Sequence, residues 1–514
     1  MGTLRGDIPS YSVDQCQAGA AACASFVPIG SIPQVNHTFA YFEATYGVLN
    51  EYQVGISEST CSGVFVSSPV PLGKALFSID QLSQIAMERS KSSREAVQIM
   101  GSLSEQFGFY GESTSFEGGS ESLVVSDKDE AWVFQILASP DGASSIWCAA
   151  RVPDDSVSVV ANMFNIREVD LNDTANFLGR ADMWEIAEEN NLWQQGMKKD
   201  WTATFSDGEY AHKYYSGRRM WGVFRLLSPS ARLNPDYTNL KTDGYPFAVK
   251  VDELGSINPA SMFSILRDHY QNTRFTTGEP NLAGGPYGTP DRFGNQNGGE
   301  RQVQGNWERT IALYRTSDSY VVQSRSQFPD EVGGVVWFGS HAATATVYVP
   351  LFAAATQAAP DCLSWGWQGV MNVSSSFWTH RNIANLMQQK FKYMILDINA
   401  VQNKLESDSQ SLVNQISSTY ASMDDEEISS LMIANAVKAV DAYKQLFFDL
   451  LFKFSDGYLN YWENDAFVSS SSVSGYPAYW LESVGYENGP PPVSNTVGSS
   501  ESKQQQIRGK GRTW

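Results

Sequence analysis

Leu123-Val124-Val125-Ser126-Asp127-Lys128-Asp129-Glu130-Ala131-Trp132-Val133-Phe134-Gln135-Ile136 carries the strongest fold signal in the chain. Two runs of β-branched and aromatic residues flank four charged ones, the pattern of antiparallel strands joined by a tight hairpin. Upstream, residues 37–42 and 52–57 alternate apolar and polar side chains, with 46–51 as the turn between them. Helical periodicity separates these β stretches. Asp80 caps a helix through about Arg89, with Leu82, Ile85 and Ala86 on one face. Ser92 or Ser93 caps another through about Phe107, with Ala96, Val97, Met100 and Leu103 inward. Strands resume at 146–151 and 157–162. Strands, then helices, then strands, joined by short links rather than crossover units, predict an α+β layered fold.

Residues 1–30 read as an irregular, linker-like start, with Pro9, Gly19, Pro28 and Gly30 and little periodicity. The main domain is expected over 31–375, where polar loops alternate with strands at 311–316, 320–323, 335–338 and 346–350. Composition shifts at about 376. Two stretches, about 377–407 and 425–455, are helical and nearly free of Gly and Pro. Phe391, Met394, Ile395, Ile398 and Val401 form one apolar stripe, read as packed core. The 376–465 region is therefore expected to be a helical hairpin packed on the sheet domain. Residues 466–514, rich in Ser, Gly and Pro, read as a disordered tail.

The 514 residues are 42% hydrophobic and 18% charged, which excludes a wholly disordered chain. The net charge of −20 repels phosphate backbones, so no nucleic-acid partner is expected. No run of 18 apolar residues predicts a membrane span. The five cysteines are odd in number and lack a CxxC pair, which argues against a zinc site or a disulfide framework. The five histidines are far apart, so neither a metal ion nor a Ser-His-Asp triad is predicted. No phosphate loop or dinucleotide fingerprint appears, and no cofactor is expected.

Chemistry-bearing residues concentrate in four clusters, at 55–61, 161–164, 206–221 and 305–309. An Asn at a strand end can donate amide hydrogens to a developing oxyanion. An Arg can clamp a carboxylate in a bidentate fork. Glu58 can hold an amine or pair with an Arg. Each cluster also has a plain reading, as loop capping or surface ion pairing. Aromatics beside carboxylates, as in Trp307-Glu308 and Glu209-Tyr210, would also suit a glycosidase. Cys61 and Cys148 read as buried, inert thiols, and Cys362 as a loop residue.

Together, these and neighbouring stretches resemble the C69 dipeptidase family, that of bacterial dipeptidase A and the secernins. They include Ile32-Pro33-Gln34-Val35-Asn36-His37, Leu49-Asn50-Glu51-Tyr52-Gln53-Val54-Gly55-Ile56-Ser57-Glu58-Ser59-Thr60-Cys61, Ala161-Asn162-Met163-Phe164-Asn165-Ile166-Arg167-Glu168 and Val332-Gly333-Gly334-Val335-Val336-Trp337-Phe338-Gly339. The resemblance runs from about residue 30 to 460. It implies an N-terminal-nucleophile hydrolase, an αββα sandwich of two antiparallel sheets between helical layers. The nucleophile would be a leading Cys whose own α-amine moves the proton, and the substrates dipeptides or similar small amides. By position, the resemblance puts Asn162 in the oxyanion hole and Thr60, or Glu58, where a second oxyanion or substrate group sits. Arg218, with Arg219 as alternative, would border the nucleophile; Glu58 and Arg219 would contact substrate. Asn50 and Glu51 would hold a turn.

The match departs from the family at its start. The chain opens Met1-Gly2 and reaches Ile32-Pro33 at once, so the family's first strands and nucleophile are expected to be missing. Cys16, before Gln17-Ala18-Gly19, and Cys23, before Ala24-Ser25, do not match the nucleophile context. The expected consequence is an open groove walled by Thr60, Asn162 and Arg218, with unpaired strand backbone beside it. The alternative is a scaffold of the same family that binds without catalysis.

Overall fold

The computed structural model describes residues 10–16, 26–111, 118–207, 213–236, 244–291, 308–355, 360–471 and 473–490. Its sixteen strands are β1 (Ser10–Cys16), β2 (Phe26–Pro33), β3 (Tyr41–Glu43), β4 (Gly47–Asn50), β5 (Gly55–Cys61), β6 (Ser120–Ser126), β7 (Ala131–Ala138), β8 (Ser145–Arg151), β9 (Ser156–Val157), β10 (Phe177–Gly179), β11 (Val249–Lys250), β12 (Asp318–Gln323), β13 (Val335–Ser340), β14 (Val349–Phe352), β15 (Leu459–Glu463) and β16 (Ala466–Ser470). The mixture of antiparallel sheets and separate helices is consistent with the α+β class.

The largest sheet has the order β10-β8-β7-β6-β5-β4-β3 and is antiparallel throughout. Its centre is the β6–β7 hairpin, closed by Asp127. That carboxylate accepts from the backbone N–H of Asp129 and Glu130, both at 2.7 Å. Its other oxygen accepts from the Ser93 N–H at 2.6 Å, so one side chain ties the hairpin to the start of a helix.

Helices α1 (Ile79–Arg89) and α2 (Ser93–Phe107) cover one face of this sheet. Ser78 and Gln81 form a capping box at the first, and Ser92 accepts from the Glu95 N–H at the second. Leu82, Ile85, Ala86, Val97 and Met100 pack on Ile56, Leu123, Val125, Trp132, Phe134 and Ile136. The opposite face carries Cys61, Val133, Leu137 and Cys148. These pack on Phe164 and on α3 (Met183–Glu189) and α4 (Trp201–Phe205), through Met183, Trp184, Trp201 and Phe205.

A second sheet, β12-β13-β14, also lies on that opposite side, with Val322 against Gly55. Its strands β13 and β14 also meet the helices Ser376–Leu386, Phe391–Thr419 and Asp425–Lys453. Val335, Trp337 and Phe352, which the strand register puts on one face, share a core cluster with Val413, Ile416, Ile428 and Met432. Val349 packs with Ile383, Met394, Ile398 and Tyr443. Arg325 stitches these layers, donating to Gly333 O at 3.1 Å, to Val332 O and to Ser417 Oγ at 3.0 Å. No helix among the described residues is long and apolar enough to cross a membrane.

Several local expectations change. Residues 46–51 hold a strand, β4, rather than only a turn. All four β4 residues are buried, so the alternation that marks a one-sided strand is absent. Gly47 lies against Met87 of α1, while Val48 and Leu49 join the cluster around Trp337. The strand expected at 37–42 shrinks to β3, and no strand forms at 311–316. The start is not wholly irregular, since β1 and β2 pair along their length. The region from 466 includes β16 and a short helix, Ala478–Ser483, where disorder was expected.

Candidate active site

The candidate site forms where β5 outruns β4. β5 pairs with β6 at all seven of its residues but with β4 only at Gly55–Leu49. From Ile56 to Cys61 the other edge of β5 therefore has no strand partner among the described residues. Side chains approach it instead. Tyr320 Oη donates to Ile56 O at 3.0 Å, and Asn162 Nδ2 donates to Thr60 O at 2.8 Å.

Asn162 sits at φ 55°, in the left-handed region that Asn tolerates better than most residues. Three further contacts fix it. Its backbone N–H donates to Ser59 Oγ at 2.8 Å, its carbonyl accepts from Ser216 Oγ at 3.4 Å, and its Oδ1 accepts from Arg219 Nη2 at 2.8 Å. Arg219 comes from the first turn of α5 (Arg218–Leu227), which continues a π-helical turn, Lys213–Gly217. Arg219 Nε donates to Tyr215 O at 2.8 Å. The Tyr215 ring lies 4.9 Å from the Arg219 guanidinium and 4.2 Å from that of Arg309. Burial, with the nearby Arg309 charge, lowers the Arg219 pKa to about 10, which leaves it a cation near neutrality.

Arg218 faces elsewhere. Adjacent helical residues are ~100° apart around the axis, so the pair cannot share a target. Arg218 is 1% exposed and pairs with Glu308 at 2.8 Å and Asp236 at 3.3 Å. Its guanidinium also lies 3.4 Å from the centre of the Phe275 ring and bonds Pro235 O at 2.5 Å. Of the three residues expected to wall a groove, Thr60 and Asn162 are in contact, and it is Arg219 rather than Arg218 that reaches Asn162. Glu308, one of the carboxylates raised for glycoside chemistry, is engaged with Arg218; Trp307, Glu209 and Tyr210 lie outside the described residues.

Thr60 takes part through its backbone. The two-residue alternation of β5 puts Glu58 and Thr60 on the face of Ile56, and Ser59 and Cys61 on the other. Thr60 Oγ1 donates to Glu58 Oε1 at 2.8 Å, and only its carbonyl meets Asn162. Glu58 lines a cleft of about 290 Å³ with Tyr46, Ser57, Ser317, Asp318 and Tyr320. Asn162, Thr60 and Arg218 are not among that cleft's walls. Burial raises the Asp318 carboxyl, with the Ser317 hydrogen bond acting the other way. Asn50 is structural: its Nδ2 donates to Met87 O and Ser90 O at 3.0 and 2.8 Å, and its Oδ1 accepts from the Tyr52 and Val54 N–H groups.

The cysteines of known environment are not activated. Cys61 Sγ donates to Ser59 O at 3.1 Å and lies 3.3 Å from Ser122 Oγ. Burial pushes its thiol well up, opposed by the Ser122 hydrogen bond and, least, by Arg219, while the charges of Glu121 and Glu58 add to the rise. Burial likewise raises Cys148 and Cys362. Cys23 lies outside the described residues, and Cys16 is described only as strand backbone.

A family model described as Peptidase family C69 matches residues 39–404, more than half of the chain. The chain belongs to peptidase family C69. Among C69 relatives, a probable dipeptidase of Latilactobacillus sakei is 26% identical over 345 residues, covering 67% of this chain and 64% of that protein. Dipeptidase A of Lactobacillus helveticus is 24% identical over 302 residues, 59% of this chain and 55% of that protein. A dipeptidase of Bifidobacterium longum is 27% identical over 281 residues, 52% of this chain and 46% of that protein. The matched region thus spans about half to two thirds of these relatives' length. The family-model match, residues 39–404, contains Ser59, Asn162 and Arg219. Ser59, Tyr215 and Arg309 lay within the sequence clusters but were not singled out. The β5 alternation, which puts Ser59 on the face of Cys61, was the signal for the first of them.

Proposed function

We propose that this chain is a dipeptidase-type cysteine hydrolase acting on dipeptides or similar small amides, built as an N-terminal-nucleophile αββα sandwich with a C-terminal helical hairpin. The observation that carries this reading is Asn162, held in a left-handed conformation by Ser59, the Thr60 carbonyl and Arg219. An amide NH₂ has two hydrogens. One goes to Thr60 O, and the other is the donor for the oxyanion that forms when an amide carbonyl is attacked. Arg219 orients that amide through Oδ1 and adds positive charge beside it. Arg218 is a positioning residue, anchoring α5 to Glu308 and Asp236.

The attacking sulfur is that of an N-terminal cysteine, as the family resemblance implies. A thiolate requires a lowered pKa, and Cys61, Cys148 and Cys362 are all raised. Cys16 and Cys23 lack the family's nucleophile context. The free α-amine, with an ordinary pKa of ~8, takes the thiol proton and returns it to the leaving amine.

The test is to purify the mature protein from its source, read its first residue by mass spectrometry, and assay a dipeptide panel with and without iodoacetamide. An N-terminal Cys whose alkylation abolishes turnover supports the reading. Turnover that survives complete alkylation overturns it. An inert protein with an intact leading thiol overturns it in favour of a binding scaffold.

A further inference from the structure

Arg219 has no carboxylate partner among the described residues. Other arginines with little exposed surface do: Arg218 holds Glu308 and Asp236, Arg225 holds Asp268, and Arg267 holds Glu406. The Arg219 donors reach neutral oxygens only. Nε donates to Tyr215 O, and Nη2 to Asn162 Oδ1 and, at 3.4 Å, to Ala161 O. A guanidinium has five N–H donors. The two on Nη1 meet no acceptor among the described residues, and Arg219 keeps part of its surface accessible.

A second cation stands beside it. The Arg309 guanidinium lies 4.2 Å from the centre of the Tyr215 ring, which Arg219 approaches at 4.9 Å, and its charge helps to lower the Arg219 pKa. Two like charges on one half-buried ring repel, and an anion between them relieves the repulsion. Strained backbone holds the arrangement. The Arg309 N–H donates to Tyr214 O at 2.8 Å, and Tyr270 Oη donates to Arg309 O at 2.5 Å. Tyr270 sits at φ 61°, an outlier for so bulky a residue and a kind of strain that clusters at ligand sites. Tyr214 and Tyr215 belong to the π-helical turn Lys213–Gly217, a form frequent at functional sites.

We propose that Arg219 and Arg309 receive the α-carboxylate of the substrate's leaving residue, and so restrict hydrolysis to dipeptides with a free C-terminus. This rests on the reading of Asn162 as the oxyanion donor. In a dipeptide the carboxylate carbon is three bonds from the attacked carbonyl carbon, about 3–4 Å away. Arg219 bonds Asn162 directly, so a carbonyl held at Asn162 carries its carboxylate toward the two guanidiniums. The carboxylate is ionised above about pH 4 and accepts from an arginine fork. A C-terminal amide has the same size, but it lacks the charge and turns N–H donors toward donors.

The experiment compares L-alanyl-L-alanine with L-alanyl-L-alaninamide on the wild type, Arg309→Gln and Arg309→Lys. The readout is kcat/KM where the protein turns the pair over and Kd by isothermal titration where it does not, so a chain without hydrolase activity is tested as well. The wild type is expected to favour the acid by ~tenfold or more. Arg309→Gln is expected to cut that preference by ~tenfold, with Arg309→Lys recovering part of it. A general loss of structure would weaken both ligands alike and leave their ratio unchanged. A wild type that takes acid and amide equally well, or neither, overturns the proposal. So does a folded Arg309→Gln protein with an undiminished preference. If that variant does not fold, the wild-type ratio decides alone. Preference for the acid without turnover supports this inference and counts against the hydrolase reading; equal turnover of both does the reverse.

Discussion

Replacing Asn162 by alanine and by glycine separates what its side chain holds from what its backbone demands. Both variants lose the Arg219–Oδ1 bond and the Nδ2–Thr60 O bond. A bond to a charged group contributes ~1.5–3 kcal/mol and a neutral one ~0.5–1.5 kcal/mol. The side chain is half-buried, so the lower ends apply, about 2 kcal/mol together. Alanine must also adopt φ 55°, at a cost of ~1–2 kcal/mol. Glycine avoids that strain but loses ~0.4–1 kcal/mol through its freer unfolded chain. Asn162→Ala should therefore lose about 3–4 kcal/mol, and Asn162→Gly roughly 0.5–1 kcal/mol less. Urea titrations followed by tryptophan fluorescence measure both against wild type. An alanine variant as stable as the glycine variant, or more so, would refute the claim that this backbone is strained.

Gly101→Ala should destabilise, although alanine is the better helix former by ~1 kcal/mol. Its added Cβ would stand 2.3 Å from two atoms of the Trp147 ring, an overpacking cost of ~1–3 kcal/mol, so a raised melting temperature would count against the packing of α2 on β8. Arg325→Met should cost about 3 kcal/mol or more, because it strands two buried carbonyls and Ser417; a shift in the urea midpoint checks this. Burial lowers His341 and His380 from 6.5 to about 4, the first helped by the charges of His380 and Arg381. The unfolded chain then binds more protons between those values, so stability is full above about pH 6.5 and falls as pH drops toward 4, by up to ~1.4 kcal/mol per pH unit for each histidine. His380→Phe, which keeps an aromatic ring against Tyr443, should flatten that slope between pH 6 and 4.5; melting curves with an unchanged slope would contradict the assignment.

What the sequence revealed was local. Ser92 caps the second helix where expected, while the first is capped at Ser78 rather than Asp80, which lies inside its first turn, and the Asp127 turn lies where four charged residues interrupt two apolar runs. The Asn162 region and the pair Arg218-Arg219 were legible as chemistry-bearing. Which arginine faces Asn162 was not, because it depends on the rotation of α5. That rotation is set by Glu308, 90 residues away in sequence. Nor could the sequence show that Thr60 offers its carbonyl rather than its hydroxyl, since strand alternation gives two faces without saying what covers each. β4 escaped notice for a related reason: covered on both sides, it has no alternation.

The central claim is that Asn162 stabilises the oxyanion formed by an N-terminal thiolate, and that Cys61 is an inert core residue. The most direct measurement is kcat/KM for dipeptide hydrolysis by the mature protein, wild type against Asn162→Ala and Cys61→Ala, each confirmed as folded. The account predicts a fall of ~10²–10³ for Asn162→Ala, with Cys61→Ala staying within a few-fold of wild type. Activity retained without Asn162, or abolished without Cys61, would contradict it.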